Sequence, residues 1–336
     1  MTPAERVGAV LSGGIPDRRP FACTLSLYGA RLSGADTLDY YSKPGVFVAG
    51  QRAVVDLCSP DILFGPFALA LEAEGYGSTL ERFPDSPPSL KKPAVKAPRD
   101  TQVPRPQPGT DPNLRYLVDS VRALVADQDG KRLVAAVITA PCDLPILLLG
   151  MENWLEVLLF EPELAVYWSA LALDHFEALA SAYFSAGASF LVSPVMMTSP
   201  AFMNPELAER MIIPHIRKAF SRLKGPIVFH HGGNRLAPYI GMVRDLPNVV
   251  GFALDERDSF AEARVVVGPE TLLLGNLSGP HFSRRTVESI TEKTRSLLLE
   301  GKDDRKFILA TSNADIPWDT DPNVLVALRR TVEDGV

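Results

Sequence analysis

The chain has 336 residues, 46% of them apolar and 22% charged, a composition that supports a large buried core and excludes disorder as the overall state. With 34 Lys plus Arg against 40 Asp plus Glu, the net charge is -6, and no dense basic stretch indicates nucleic-acid binding. Three isolated cysteines exclude a disulfide framework and a Cys-x-x-Cys metal clip. Because we find neither a membrane-length apolar run nor a signal-peptide core, we expect a cytoplasmic protein with no membrane partner.

Short apolar runs alternate with longer segments of helical periodicity, a pattern typical of parallel strands joined by helices. The predicted strands cover residues 21–26, 61–64, 133–138, 189–192, 226–229, 249–254, 271–274 and 307–310. The predicted helices include residues 153–159, 163–186, 205–223, 236–244, 260–267 and 286–299. Eight such strands predict an α/β fold, a (β/α)8 TIM barrel that forms one domain over residues 1–336 and carries an N-terminal helical extension.

An open doubly wound sheet is the alternative fold, and the absence of a G-x-G-x-x-G phosphate loop disfavours it. Residues 84–112 do not fit the strand–helix rhythm, because they contain nine prolines in 29 residues. We predict that this segment is an extended excursion over the surface, either a plain solvated loop or a lid or docking arm.

The carboxyl ends of barrel strands face the active site, so polar residues that follow the predicted strands are the candidate site residues. His230 is the leading candidate because an imidazole can act as acid, base or metal ligand near neutral pH. Since neighbouring strand residues point to opposite faces, only one of His230 and His231 is expected to face the mouth. The other candidates at the mouth are Tyr28, Asp61, Asn234, Asp255, Asn276, Asn313 and Asp315. Asp61 has a cap or turn role as its alternative, and His175 is predicted to be a packing residue.

Several motifs together resemble the uroporphyrinogen decarboxylase superfamily, which includes corrinoid-dependent methyltransferases, over nearly the whole chain. They are Thr-Pro-x-Glu-Arg-Val at residues 2–7, Asp-Arg-Arg-Pro at 17–20, Ser-Pro-Asp-Ile-Leu at 59–63, Ala-Pro-Cys-Asp-Leu at 140–144, His-His-Gly-Gly-Asn at 230–234 and Gly-Asn-Leu at 275–277. Residues 199–205, 214–216 and 308–317 also match. The resemblance implies a (β/α)8 barrel with its site at the carboxyl ends of the strands.

The decarboxylase branch of the superfamily matches less well than the methyltransferase branch. Its Arg-Gln-Ala-Gly-Arg-Tyr segment leaves only Arg31 as a counterpart here, its tyrosine corresponds to Leu147, and its Gly-His-Gly-Ile motif is absent. A polycarboxylate substrate requires several cations in one cleft, and the sequence does not supply them. By contrast, Ser193-Pro194 and Ser199-Pro200 resemble the Ser-Pro-x-x-x-Ser-Pro segment of the methyltransferase branch.

Thiol-methylating members of that branch hold zinc through a His-x-Cys pair and a late cysteine. The resemblance makes His230 the histidine ligand, but Gly232 and Asn313 occupy the two cysteine positions. A standard zinc–thiolate site is therefore not expected, unless His231, Asp255 or Asp315 completes a rebuilt set of ligands.

The resemblance implies a cobalamin-dependent methyltransferase that moves a methyl group between a corrinoid, such as methylcobalamin, on a partner protein and a small molecule. That molecule is a tetrahydrofolate-type acceptor or a methoxylated donor, with His230, Asn313 and Asp61 as catalytic residues and the other candidates as substrate contacts. The alternatives are a decarboxylase that acts on a smaller acid and a catalytically silent tetrapyrrole-binding barrel. The oligomeric state stays open, with a homodimer as one option.

Overall fold

The computed structural model describes residues 1–335; residue 336, the last of the predicted domain, lies outside the described residues. The strands are β1 Phe21–Ala22, β2 Ile62–Phe64, β3 Thr79–Glu81, β4 Ser89–Lys92, β5 Leu133–Val137, β6 Phe190–Pro194, β7 Ile227–His230, β8 Val249–Ala253, β9 Leu272–Ser278 and β10 Phe307–Ser312. The α-helices are α1 Pro3–Leu11, α2 Tyr28–Ser33, α3 Thr37–Tyr40, α4 Pro44–Cys58, α5 Leu71–Glu74, α6 Pro112–Gln128, α7 Leu144–Leu149, α8 Met151–Phe160, α9 Pro162–Ser185, α10 Pro205–Leu207, α11 Ile213–Ser221, α12 Ile240–Val243, α13 Phe260–Val267, α14 Val287–Glu300 and α15 Pro322–Asp334.

Eight parallel strands close into a barrel in the order β1-β10-β9-β8-β7-β6-β5-β2. β1 completes the ring, because Phe21 pairs with Leu309 of β10 and Ala22 pairs with Ile62 of β2. The predicted (β/α)8 barrel is therefore confirmed. All eight carboxyl ends open at the same end of the barrel, which we call the mouth, and this end carries the active site in enzymes of this architecture.

The predicted helix over residues 205–223 is interrupted in the structure. A π-helical turn, Ala208–Ile212, separates α10 from α11. Short 3₁₀ helices also occur at Ala237–Tyr239 and Gly279–Arg284, next to the loops that follow β7 and β9. Irregular helical turns of this kind are frequent where the chain leaves a regular element, so the break is local and the strand–helix order is kept.

The proline-rich excursion is held against the barrel by a few specific contacts. Its strand β4 pairs with β3 in an antiparallel hairpin. Farther along, the Val95 N–H donates to the Leu148 carbonyl at 2.9 Å, and the Trp168 indole N–H donates to the Pro98 carbonyl at 3.0 Å. Residues 85–90 of the excursion lie beside the mouth of the barrel.

Asp61 does not lie at the mouth, contrary to the expectation from sequence. It precedes β2 and therefore lies at the amino-terminal end of the barrel. Its buried carboxylate accepts hydrogen bonds from Arg6, from Arg18 at 2.8 Å and from the Phe21 N–H at 2.9 Å. This network ties α1 and β1 to β2, so Asp61 has a structural role.

Apolar side chains fill both the barrel and the layer between the strands and the helices, and the bulkiest fully buried ones include Trp154, Trp168 and Phe229. Among residues 1–335, we find no helix that combines the length and the apolar character needed to cross a membrane.

Candidate active site

A cavity of about 260 Å³ opens at the mouth of the barrel. Its walls come from the carboxyl ends of β6 and β7 and from the segments that follow β2, β5, β6, β7 and β10: Phe67, Leu69, Thr139, Asp143, Ile146, Leu147, Pro194, Met196, His230, Gly232, Gly233, Asn313 and Ala314. Most of these side chains are apolar, and none of the lining residues is Lys or Arg. A small cavity with few polar groups fixes the orientation of a ligand through those groups.

His230 ends β7 and lines this cavity, as predicted. The Gly232 N–H donates to its Nδ1 at 3.1 Å, and this assigns the ring hydrogen to Nε2. Burial lowers the pKa of His230 well below its usual value, and the nearby ring of His231 lowers it further. At neutral pH the imidazole is therefore uncharged, and its Nε2–H is available as a hydrogen-bond donor to a ligand.

Asp143 is a site residue that our candidate set omitted. It follows β5 and lines the cavity, and its carboxyl group accepts hydrogen bonds from the backbone N–H groups of Met196 at 2.6 Å and Met197 at 3.2 Å. Burial raises its pKa from 3.8 to about 6, in spite of these hydrogen bonds. Its place in the Ala-Pro-Cys-Asp segment after a predicted strand was the signal that could have identified it. A buried carboxyl group with this pKa can donate a proton near neutral pH.

A buried layer beside His230 contains three other predicted site residues that do not line the cavity: His231, Asp255 and Asn276. The Asn313 N–H donates to His231 Nε2 at 3.2 Å, and His231 Nδ1 lies 3.7 Å from Asp255 Oδ2. The Asn276 amide donates to the Asp255 carbonyl at 3.1 Å. Asn313 itself lines the cavity and has a left-handed backbone with φ 69°. This layer fixes the position of the Asn313 loop against β7.

Asp315 borders a second depression, which we call the groove. The groove has a volume of about 730 Å³ and shares Phe67, Leu69 and Ala314 with the cavity, so the two are continuous. Residues 85–90 of the proline-rich excursion form part of its wall. Burial raises the pKa of Asp315 to about 8, and its Oδ2 has no hydrogen-bond partner within the described residues.

Two further predicted site residues, Tyr28 and Asn234, also do not line the cavity. Tyr28 lies in α2 because β1 ends at Ala22, and its fully buried hydroxyl donates to the Thr320 carbonyl at 2.7 Å. Arg31, the counterpart of a decarboxylase arginine, binds the same carbonyl and that of Trp318. Asn234 is half-buried in the loop after β7 and is not among the residues that line the cavity.

The donor set does not fit the zinc ion of thiol-methylating proteins. A Cβ atom at Gly232 would lie 2.8 Å from the backbone of Val195, so the position that holds a cysteine in those proteins is closed here. His230 Nδ1 already accepts from a backbone N–H, and Asn313 provides no thiolate. Among residues 1–335, no group of three or more His, Cys, Asp or Glu side chains is arranged to hold a metal ion.

The family model described as uroporphyrinogen decarboxylase (URO-D) matches residues 2–335. Among solved structures, a methyltransferase from Methanosarcina mazei superposes with a TM-score of 0.87 at 17% identity and covers 99% of both chains. A B12-independent methionine synthase from Shewanella sp. W3-18-1 has a TM-score of 0.54 at 12% identity, with 92% of this chain and 86% of that chain covered. No curated protein matches the sequence significantly. At these identities the structural matches establish the fold alone, and the fold is the barrel predicted from sequence.

Proposed function

Because the chain belongs to the uroporphyrinogen decarboxylase family, as its resemblance implied, we propose that it is a methyltransferase of this family. It transfers the methyl group of a small methoxylated donor to a corrinoid that a partner protein carries. The observation that carries the proposal is that one small apolar cavity is lined by both an uncharged His230 and Asp143, a carboxyl group whose pKa burial raises to about 6.

The residues of the cavity supply what the cleavage of a methyl ether requires. When the methyl carbon leaves, the electron pair of the C–O bond stays on the oxygen, which must take up a proton to become a hydroxyl group. Asp143 donates that proton, and the His230 N–H orients the ether oxygen by a hydrogen bond. Solvent that enters through the groove returns a proton to Asp143 after product release.

The size of the cavity favours a small methoxylated donor over tetrahydrofolate. Its volume of about 260 Å³ lies just below the range of about 300–1,000 Å³ that drug-sized ligands occupy. Leu147, Ile146 and Met196 provide an apolar wall that suits an aromatic or aliphatic ether.

A corrinoid is too large for the cavity and would lie across the groove, whose apolar wall includes Leu90, Pro317 and Trp318. When bound there, it supplies the nucleophile that accepts the methyl group. The partner protein would then contact the proline-rich residues 85–90, which border the groove. This gives the excursion a docking role, one of the two interpretations that its sequence left open.

Decarboxylation is less well supported than methyl transfer. No Lys or Arg lines the described cavity, and Arg31 is bound to backbone carbonyls outside it. Even a small acid would therefore bring its carboxylate into the cavity without a counter-charge from Lys or Arg, which is energetically costly in a site of low polarity.

The test is an anaerobic assay of the purified protein with reduced cobalamin and a panel of small methoxylated compounds, measuring release of the demethylated alcohol or phenol. We expect release that requires both the protein and the cobalamin. Cobalamin-independent release of CO₂ from small acids, with no demethylation of any ether, would instead support the decarboxylase.

A further inference from the structure

The carboxyl group of Asp143 has a third hydrogen-bond donor besides the two backbone N–H groups described above. The thiol of Cys142, the preceding residue, donates to Asp143 Oδ1 with its Sγ 3.2 Å away. The Met197 N–H donates to the same oxygen at 3.2 Å, whereas the Met196 N–H donates to Oδ2 at 2.6 Å. Cys142 is buried and is not among the residues that line the cavity, so its thiol acts on the site through Asp143.

The backbone holds Cys142 and Asp143 together in one turn after β5. The Asp143 N–H donates to the Ala140 carbonyl at 2.9 Å, which closes the turn. The indole N–H of Trp154, a buried side chain of α8, donates to the Cys142 carbonyl at 3.0 Å. Because these contacts fix the backbone next to the Cys142 side chain, the thiol stays within reach of the Asp143 carboxyl group.

The thiol is the donor in this contact over the pH range in which Asp143 titrates. Burial raises the pKa of Cys142 well above its usual value, and the negative charge of Asp143 raises it further. The thiol therefore keeps its hydrogen near neutral pH. A hydrogen bond donated to an ionised carboxyl group stabilises the ionised form, so the thiol opposes the effect of burial on Asp143.

Two other titratable side chains, His230 and Tyr239, lie near Asp143. His230 lines the same cavity and is uncharged at neutral pH. Tyr239, in the 3₁₀ turn after β7, is buried, and burial raises the pKa of its hydroxyl group, so it is uncharged as well. Among the described residues, the two backbone N–H groups and the Cys142 thiol therefore oppose the effect of burial without help from a positively charged neighbour.

We infer that Cys142 is a positioning residue whose thiol holds Asp143 Oδ1 and makes this carboxyl group a stronger acid than its burial alone would allow. A proton donor is most effective when its pKa lies near the working pH. Without the thiol, Asp143 would hold its proton more tightly and give it up less readily. The use of this contact in catalysis rests on the proposed function, in which Asp143 is the proton donor.

The test is an NMR titration of protein labelled with ¹³C at the aspartate carboxyl carbons, measured without cobalamin or a methyl donor. Asp143 is assigned as the signal that Asp143→Asn lacks. Cys142→Ala should raise the pKa of Asp143 by about 0.5–1, because it removes one weak donor to the ionised form. Cys142→Ser keeps a donor at this position and should hold that pKa at or below its unsubstituted value.

Cys58→Ala is the matched control. Cys58 is a buried cysteine of α4 whose thiol donates to the Val54 carbonyl at 3.5 Å, and it is not among the residues that line the cavity. Its substitution removes a thiol of the same kind from the core, so it should leave the pKa of Asp143 unchanged.

A second measurement needs no variant. Infrared spectra of the unsubstituted protein at pH 5 and pH 8 report the S–H stretching bands of its three thiols. One band should move to lower frequency at pH 8, because the hydrogen bond from Cys142 strengthens when Asp143 ionises.

Identical S–H bands at the two pH values would overturn the inference, whether or not any variant folds. An unchanged pKa of Asp143 in Cys142→Ala would overturn it as well, and so would an equal rise in Cys142→Ser or Cys58→Ala. Because neither measurement uses cobalamin or a methyl donor, the expected shifts in a protein that demethylates no ether would support the inference and count against the proposed function alone.

Discussion

Replacing Asp143 by Asn separates proton donation from simple polarity in the cavity. Burial raises the pKa of Asp143 from 3.8 to about 6, and two pKa units correspond to about 3 kcal/mol in favour of the protonated form. With this pKa, roughly a tenth of the protein carries the acidic form at pH 7 and roughly a hundredth at pH 8. We therefore expect kcat/KM for ether cleavage to fall about tenfold per pH unit above pH 6 in the unsubstituted protein.

Asp143→Asn keeps the size of the side chain but cannot donate a proton, so kcat should fall by about 10²–10⁴ and the inflection near pH 6 should disappear. The assay is demethylation of a methoxyphenol with reduced cobalamin, followed from pH 5 to pH 8. Some destabilisation is also expected, because an amide has one acceptor oxygen for the N–H groups of Met196 and Met197.

Asp258→Asn is the control for that destabilisation. Asp258 is a buried carboxylate that accepts from the N–H groups of Leu236 and Ala237 and is not among the residues that line the cavity. It should lower the melting temperature and leave the pH inflection in place. An Asp143→Asn variant that keeps the inflection and near-normal kcat would refute the assignment of Asp143 as the proton donor.

Three further substitutions test other parts of the account. His230→Ala should lower kcat/KM by about 10- to 100-fold through loss of a buried donor, and the inflection near pH 6 should remain because Asp143 supplies it. Asp61→Asn should destabilise the fold by about 3–5 kcal/mol, since it leaves Arg6 and Arg18 without their buried counter-charge, but kcat of the folded protein measured below Tm should be unchanged. Burial raises the pKa of Asp315 to about 8, so its contribution to stability is full below about pH 4 and is lost as the pH rises through about 8. Denaturant unfolding of Asp315→Asn should therefore vary less with pH between 5 and 9, and an equally steep dependence would contradict the burial argument.

The barrel was predictable from sequence because parallel strands buried on both faces leave continuous apolar runs, and helices separate them at a regular spacing. The same logic located His230, the last residue of β7, and Asn313, the residue after β10, which both line the cavity. Asp61 was placed at the wrong end because it precedes its strand, and the direction of a strand decides which end of the barrel a flanking residue occupies. Tyr28 was misplaced because β1 is only two residues long.

Other site features depend on contacts between residues far apart in the chain, which periodicity does not report. His175 has helical spacing and was predicted to be a packing residue, and its contact with Glu72, 103 positions away, emerges only from the fold. The pKa of Asp143 depends on its degree of burial, which a single sequence does not specify.

We propose that this barrel moves a methyl group by proton donation and without a thiolate-bound metal ion. The most direct measurement follows a ¹³C-labelled methoxy donor with chelator-treated protein and reduced cobalamin, using NMR to locate the label. We expect the labelled methyl group to move to the corrinoid at the rate seen before chelation, with one hydroxyl product released per methyl group transferred and substoichiometric zinc in the purified protein. One zinc per chain, lost together with methyl transfer on chelation, would contradict it.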